Sequence, residues 1–501
     1  MDPQPWVLAA AGLLIVGVIT SKTSSRFGVP SLLLFLGLGM VAGTDGFGIE
    51  FDDFELARSF GVVALAFILF SGGLGTRLSD IRTVVGPGVA LASVGVIITA
   101  GVVGGVASLI LDLPIEETLL LGAVIASTDA AAVFSILRSR GARVDKRLGS
   151  LLELESGSND PAAVFLTVAM ISIVTDDGTS VVRIFGDFAL QMTVGAILGY
   201  LLARGLVWAI NRLNLDYEGL YPVMTFGFVL ITLEGVNVVG GSGFLAIYVA
   251  GVTMAHHDYL HKRSLIRFHD AIAWLVQISM FVLLGLLVYP SQLPEVALAA
   301  LATAAVLMFV ARPVAVLLTL LPFRIRPPEI AFVSWVGLRG ATPIILATFP
   351  VAAGVPDAER LFNVVFFVVL TSVLIQGTTI PLVGRWLGVS DRAPRQRPGL
   401  VSFDTVMTGD EGPDLHEFVV EAGAPAAGQQ LVDLGLPQGV LIVLVRRGDE
   451  AFMPQGSTIL AADDQLLIVA EPTQRNSLDE FFRLTNGDTG SDGSTPTRSD
   501  G

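Results

Sequence analysis

Between Trp6 and Leu387 the sequence is a succession of apolar runs separated by short polar loops, each run close to the about 20 residues that a helix needs to cross a hydrocarbon layer. A backbone in lipid must satisfy its own N–H and C=O groups, so runs of this kind fold as helices. They are placed at 6–20, 30–44, 57–75, 86–111, 117–137, 149–174, 182–210, 220–236, 241–256, 268–289, 295–321, 329–349 and 360–387, about thirteen crossings in all. The first run follows MDPQPW, which carries an acid where a cleaved signal carries basic residues, and is read as a span. Charged residues make up only 15% of the chain and mean hydropathy is +0.72, which excludes a chain built only of ordinary soluble domains. The 54 glycines lie among Leu, Val, Ala and Ile without a three-residue period, as in helices that approach closely in lipid rather than in collagen. The absence of cysteine excludes disulfides, thiolate metal sites and cysteine nucleophiles.

Loop charges alternate along this region. Lys22 and Arg26, Arg77 and Arg82, the group Arg138, Arg140, Arg143, Lys146 and Arg147, then Arg204 and Arg212, then Lys262, Arg263 and Arg267, then Arg324 and Arg326 fall on every second loop. The positive-inside rule puts those loops in the cytoplasm, the N-terminus outside and the tail inside, and it favours an odd number of spans.

The chain is therefore read as a transmembrane domain over 1–388, a Pro/Arg-rich linker over 389–401 that holds SDRAPRQRPG, a cytoplasmic domain over 402–485 and a disordered tail over 486–501. In the third part FVVEA, GVLIVLVRR and QLLIVAE read as strands, QQLVDLGL as a short helix and RRGDEAF as a hairpin, which makes a small α+β domain. Residues 401–501 hold 17 Asp/Glu against 5 Lys/Arg, so -12 of the net charge of -15 lies there, and nucleic acid or an anionic surface is a poor partner.

Ionisable groups inside spans cost about 2.5–3.5 kcal/mol at a helix centre on insertion scales, so the few present are informative. They are read at three places: Asp129 in ASTDAAAVF, Glu155 and Asp160 in LLELESGSNDPAAVF, and Arg339 in VGLRGATPII. On a helix Ser156, Asn159 and Asp160 share a face, and a hydroxyl, an amide and a carboxylate together suit a hard monovalent cation. Pro161 has no N–H, which leaves the Gly157 carbonyl free to join them. One carboxylate that is charged when it holds a cation and neutral when it carries a proton is the minimal chemistry of proton-coupled exchange. Packing alone does not require two acids within six residues of an apolar span.

ASTDA and GLRGATP interrupt two spans with short polar residues, Gly and Pro, and paired interruptions in two halves of a transporter point to a binding site. If the first six spans repeat as the last six, the two interruptions correspond, and the odd offset makes the repeats inverted. Asp129 then faces half-helix N-termini, Thr128 offers an oxygen to the ion, and Arg339 pairs with Glu155. A second reading leaves Asp129 and Arg339 as a helix cap and a structural ion pair with no direct part in transport. Glu234 is read as structural, and His256, His257, His261 and His269 as a solvated loop cluster without a third zinc ligand. No P-loop is present.

At ESGSNDP the sequence resembles the cation:proton antiporter superfamily, in its electroneutral sodium/proton and potassium/proton branch. STDA, GGSGFLAIYVAG and GLRGATP carry the likeness across residues 6–387. The resemblance implies that Asp160 is the shared cation and proton carrier, that Asn159, Ser156 and Thr128 support it, that Asp129 stabilises crossed broken helices and that Glu155 pairs with Arg339. It implies an electroneutral stoichiometry, because Asn159 stands where electrogenic relatives have a second acid, and a homodimer with an elevator-like movement. Ala130 departs from the Pro of many relatives. The tail resembles the C-terminal subdomain of potassium-conductance regulators (TrkA-C), which shades the ion towards K⁺ and implies a small regulatory ligand at the tail, without a dinucleotide site.

The expectation is thus an all-α polytopic membrane protein with two crossed, interrupted helices and a cytoplasmic α+β domain. It exchanges K⁺ or Na⁺ for H⁺ in the plasma membrane of a prokaryote, needs no cofactor, is not an enzyme, and serves cytoplasmic pH, cation content and cell volume. The alternatives are a tail-gated cation channel, an electrogenic antiporter, and a membrane sensor whose buried charges are structural.

Overall fold

The computed structural model describes residues 8, 10–19, 31–76, 82–140, 142–175, 181–213, 215–392, 414–437, 439–448, 450–470, 478 and 481–482. The chain divides into two units, Met1–Pro394 and Arg395–Gly501. The first is helical: α1 (Ala10–Ile19), α2 (Ser31–Ala42), α3 (Phe54–Gly75), α4 (Val85–Leu111), α5 (Ile115–Val124), α6 (Ala130–Ser139), α7 (Lys146–Thr175), α8 (Val181–Leu213), α9 (Leu220–Val238), α10 (Gly243–His256), α11 (Lys262–Leu286), α12 (Leu293–Phe323), α13 (Pro327–Trp335), α14 (Ala341–Ala352) and α15 (Ala358–Trp386). Eight of these, α3, α4, α7, α8, α9, α11, α12 and α15, are long and apolar enough to cross a membrane. The other apolar runs of the sequence fold as the shorter helices α1, α2 and α10 and as two interrupted pairs, α5 with α6 and α13 with α14.

The interruptions fall where the polar residues predict them. The α-helical ladder stops at Val124 and resumes at Ala130, and it stops again at Trp335 and resumes at Ala341. The helix α7, by contrast, runs unbroken through Pro161, so the proline removes one ladder bond without ending the helix. Two long helices, α4 and α12, each carry one π turn, at Leu91–Gly95 and Leu307–Ala311, and they pack on each other.

Glycine sets the closest helix crossings. A Cβ on Gly39 of α2 would come within 2.8 Å of Gly285 Cα on α11, and one on Gly73 of α3 would come within 3.1 Å of Gly251 Cα on α10. Two polar ties link distant parts of the unit. Strand β1 (Ala142–Val144), after α6, pairs antiparallel with β2 (Ser390–Arg392), after α15. In the loop after α2, Asp45 Oδ2 accepts from the Ser291 amide at 2.8 Å, which holds its carboxyl below its ordinary value of 3.8. That tie contributes its stability above the unfolded value and loses it as pH falls through the lowered folded one.

The second unit is a four-stranded antiparallel sheet in the order β3-β6-β4-β5, built from β3 (Asp414–Val419), β4 (Leu441–Arg447), β5 (Glu450–Phe452) and β6 (Gln465–Ala470). Its core holds Phe418, Val420, Val445, Leu466, Ile468 and Phe482. The hairpin expected at RRGDEAF is the β4–β5 pair. The helix expected at QQLVDLGL is reduced to a single 3₁₀ turn, Leu431–Asp433. The reason is that its amides are taken elsewhere: those of Gly428, Leu431 and Val432 donate to the carbonyls of Leu460, Thr458 and Gly456, which leaves no i to i−4 ladder. The tail at 486–501 and most of the linker at 389–401 lie outside the described residues.

One ion pair anchors this sheet. Asp464 is fully buried and accepts from Arg447 Nε and Nη2 at 2.8 and 2.7 Å and from the Ala461 amide at 2.8 Å. Arg447→Ala leaves that carboxylate with the amide alone and is expected to destabilise the unit by roughly 1–3 kcal/mol. Thermal unfolding of the full chain, followed with limited proteolysis of the tail, checks this, and an unchanged midpoint would refute it.

Candidate cation-binding site

The two interruptions meet. The amide of Asp129 donates to the Leu338 carbonyl at 2.9 Å, so the unwound stretches 125–129 and 336–340 cross in direct backbone contact. Gly340 has no room for a side chain, because a Cβ there would overlap the Asp129 carboxylate. The crossing brings four half-helix ends together in the membrane interior, and each end has an assigned partner. Asp129 caps the N-terminus of α6, with Oδ1 accepting from the Ala132 amide at 2.9 Å, and lies against the N-terminus of α14 at Gly340. Arg339, fully buried, donates from Nη1 to the carbonyls of Ala126 and Ser127 at 2.9 and 2.6 Å, just past the C-terminus of α5. The Gln376 amide of α15 donates to the Trp335 carbonyl at 2.8 Å at the C-terminus of α13. On the same helix Ser372 accepts from the Arg339 amide at 3.1 Å.

Beside the crossing stands α7. Ser156 donates to the Thr128 carbonyl at 2.9 Å and accepts from the Ala130 amide at 3.1 Å, while Asn159 Nδ2 donates to Thr128 Oγ1 at 2.6 Å. Asp160, also buried, accepts from Thr342 of α14 through Oδ2 at 3.1 Å. Its Oδ1, together with Asn159 Oδ1 and Ser127 Oγ, is buried with no hydrogen-bond partner. Desolvated oxygens are seldom left unsatisfied without a function, and a carboxylate, an amide and a hydroxyl oxygen are the donor set of a hard cation. Pro161 leaves the Gly157 carbonyl without its ladder donor on the same helix. A cavity of about 530 Å³ reaches this carboxylate and is lined by Asp129, Ser156, Asp160 and Thr342 at one end and by Arg138 and Arg140 at the other.

The structure thus brings together Ser156, Asn159, Asp160, Thr128 and Asp129. It corrects the expected pairing of Glu155 with Arg339. Glu155 is 1% exposed and forms a two-bond pair with Arg312 of α12, through Nη1–Oε1 and through Nη2–Oε2 at 3.0 Å. Arg312 Nη2 also donates to the Val333 carbonyl at 3.3 Å, in the last turn of α13, and a Cβ on Gly337 would come within 2.7 Å of its Nε. Arg339 is spent on the α5 carbonyls instead, and its position near the pair is that of a second cation. Arg312 is a residue that sequence reasoning missed, although an arginine in the middle of the run 295–321 was the signal. Thr342, three residues past Arg339, was also missed.

His269 is corrected too. It is buried in α11, not in a solvated loop, with Nε2 at 2.8 Å from Thr225 Oγ1 and its ring against Phe67, Phe70 and Phe268. Among the described residues no group of three or more His, Asp or Glu side chains is placed to hold a metal ion.

Residues 11–386 match the family described as sodium/hydrogen exchanger, transmembrane, and residues 415–483 match the TrkA-C domain. Over 466 residues the chain is 38% identical to the K(+)/H(+) antiporter NhaP of Alkalimonas amylolytica, covering 93% of this chain and 81% of that protein. Over 480 residues it is 40% identical to the K(+)/H(+) antiporter NhaP2 of Shewanella sp. (strain ANA-3), covering 95% and 83%. Its fold is similar to the structure of the sodium proton antiporter MjNhaP1 from Methanocaldococcus jannaschii at pH 8, with a TM-score of 0.68 at 23% identity over 76% of this chain and 98% of that one.

A buried two-bond pair gives a sharp stability test. Glu155→Ala or Arg312→Ala alone strands a desolvated charge and is expected to cost about 3–5 kcal/mol, whereas the double variant costs less than the sum. Thermal unfolding of the purified protein in detergent reads this coupling. Coupling of Glu155 to Arg339 in place of Arg312 would overturn the pairing.

Proposed function

The chain belongs to the sodium/hydrogen exchanger family of membrane cation:proton antiporters, and from that premise we propose that it exchanges a monovalent cation, K⁺ or Na⁺, for H⁺ through alternate occupation of Asp160. The observation that carries the reading is the group of buried, unpartnered oxygens at the crossing, Asp160 Oδ1, Asn159 Oδ1 and Ser127 Oγ, at the head of a cavity. A cation and a proton compete for one carboxylate, so neither moves without vacating the other's place. Exchange is electroneutral in this proposal. Asp129, the other acid at the crossing, is engaged by the α6 and α14 N-termini, and Asn159 is an amide, so Asp160 alone has a carboxylate oxygen to offer.

Thr342 orients the carboxylate, Ser127 offers the ion a hydroxyl oxygen, Ser156, Asn159 and Thr128 fix α7 against the crossing, and the Glu155–Arg312 pair holds the far side of α7 to α12. The relatives named as K(+)/H(+) antiporters favour K⁺. We read the membrane domain, 1–388, as two inverted repeats in about thirteen crossings. The matched interruptions at 125–129 and 336–340 and the matched π turns of α4 and α12 support this. The N-terminus is then outside, the unit at 402–485 is cytoplasmic and regulatory, and the protein acts as a homodimer in a prokaryotic plasma membrane, in the control of cytoplasmic pH, cation content and cell volume. With Arg138 and Arg140 on the inner side, the cavity at Asp160 is the cytoplasmic approach.

Cation-induced proton movement in inverted vesicles tests this, with K⁺, Na⁺ and Li⁺ added in turn, with and without a voltage clamp. Wild type is expected to exchange at least one cation without voltage dependence, and Asp160→Asn, present in the membrane in equal amount, to be silent. An active Asp160→Asn would overturn the carrier assignment, and a current carried by wild type would overturn electroneutrality.

A further inference from the structure

A second cavity, of about 660 Å³, lies past Asp160 along α7 and is lined by Pro161, Val164 and Phe165 of α7, by Ser242 and Phe244 at the start of α10, and by Phe349 of α14. The first cavity ends on Gly157 and Asp160 of α7 and on Tyr248 of α10. One helical turn separates Gly157 from Pro161, and one turn separates Tyr248 from Phe244, so the division between the cavities is a single layer of the α7–α10 contact. In that layer Gly157 and Tyr248 touch: a Cβ on Gly157 would overlap Cε2 and Cζ of the tyrosine ring. Tyr248 is 4% exposed, and its hydroxyl has no hydrogen-bond partner, although Thr76 and Glu153 lie near it. Thr76 gives its own hydroxyl proton to the Gly72 carbonyl at 2.8 Å. Thr76 Oγ1 keeps its acceptor side towards the tyrosine hydroxyl, so a tie at the tip of the ring runs to α3 and not to the Gly157 backbone beneath its face.

The two sides of α10 are packed in different ways. Towards α3 and α8 it is locked at backbone distance. A Cβ on Gly251 would come within 2.6 Å of the Phe70 carbonyl oxygen, and one on Gly195 of α8 would come within 2.6 Å of the Ser242 carbonyl oxygen. Towards α7 the contact at the level of Asp160 is an aromatic ring on a bare glycine, with no hydrogen bond across it. An apolar, unbonded contact can part and re-form with little electrostatic cost, whereas interlocked backbones cannot slide past each other.

We propose that the Tyr248 ring, seated on the Gly157 backbone, is the seal that separates the two cavities beside Asp160, and that position 157 is glycine because the seal needs that seat. This inference rests on the exchange reading for its purpose, but its test does not. The chain contains no cysteine, so Val164→Cys places a single thiol in the second cavity. A small membrane-impermeant thiol reagent is applied from each face of vesicles that hold the full chain. With Tyr248 in place the thiol is expected to react from one face only. Tyr248→Ala is expected to abolish that one-sidedness and to let an imposed pH gradient decay without added cation, while Tyr248→Phe, which keeps the ring, remains one-sided. Tyr248→Leu, which fills the layer without a planar edge, gives the same reading as Tyr248→Ala should the smaller side chain prevent assembly. One-sided labelling in Tyr248→Ala and Tyr248→Leu overturns the seal, and two-sided labelling in Tyr248→Phe assigns the barrier to the hydroxyl and overturns the seat. Silence of wild type in the cation-exchange assay refutes the transport reading and leaves the labelling result to judge the seal separately.

Discussion

Everything at the centre of this protein follows from the cost of leaving helix ends unpaired in lipid. Two helices stop halfway, and each stop exposes carbonyls on one side and amides on the other, away from the ladder that would otherwise receive them. The chain meets this with charge of the appropriate sign: an aspartate at the N-terminal ends of α6 and α14, an arginine at the carbonyls past α5, and another arginine with a glutamine at the end of α13. Asp129 and Arg339 thus act on dipoles rather than on each other. Gly340 and Gly337 are bare because these charged groups need their space.

With the crossing satisfied, the remaining polar atoms stand out. Asp129 spends its carboxylate on helix ends and Glu155 on Arg312, so of the three acids near the break Asp160 alone keeps a buried oxygen without a partner. Two carboxylates of identical chemistry, both beside the same interruption, are divided by their neighbours into a fixed structural anion and an open one. A fixed anion lowers the cost of the break, and an open one can trade a proton for an ion.

Much of this was legible in the sequence, for physical reasons. Apolar runs of bilayer length, short polar residues in the middle of two of them, and a serine, asparagine and aspartate on one helical face are local patterns, and each survives as an element or a cluster in the structure. What was not legible depends on which distant group reaches a charge first. Arg312 was passed over inside FVARPVAV because its apolar neighbours hid it, and Glu155 was given to Arg339, whose guanidinium is drawn to backbone carbonyls that no sequence pattern displays. His269 looked like a member of a loop cluster until α11 was seen to extend from Lys262. The missing helix at QQLVDLGL failed likewise, because its amides are claimed by the carbonyls of the irregular segment 456–460 rather than by its own preceding turn.

The packing around α7 carries the same logic into motion. On one side α7 is held by a buried ion pair to α12 and by hydrogen bonds to the crossing, all of which would have to be broken in a low-dielectric medium to release it. On the other side it meets α10 through the Tyr248 ring on the Gly157 backbone, a contact that no hydrogen bond holds. A change of access to Asp160 that kept every charged contact intact would therefore carry α7 together with the crossing and α12 as one body, and would part from α10. The weak boundary of the fold thus lies beside Asp160, the carboxylate with a buried unpartnered oxygen, and the strong contacts lie around the crossing, so that under the proposed exchange the site would move without being taken apart.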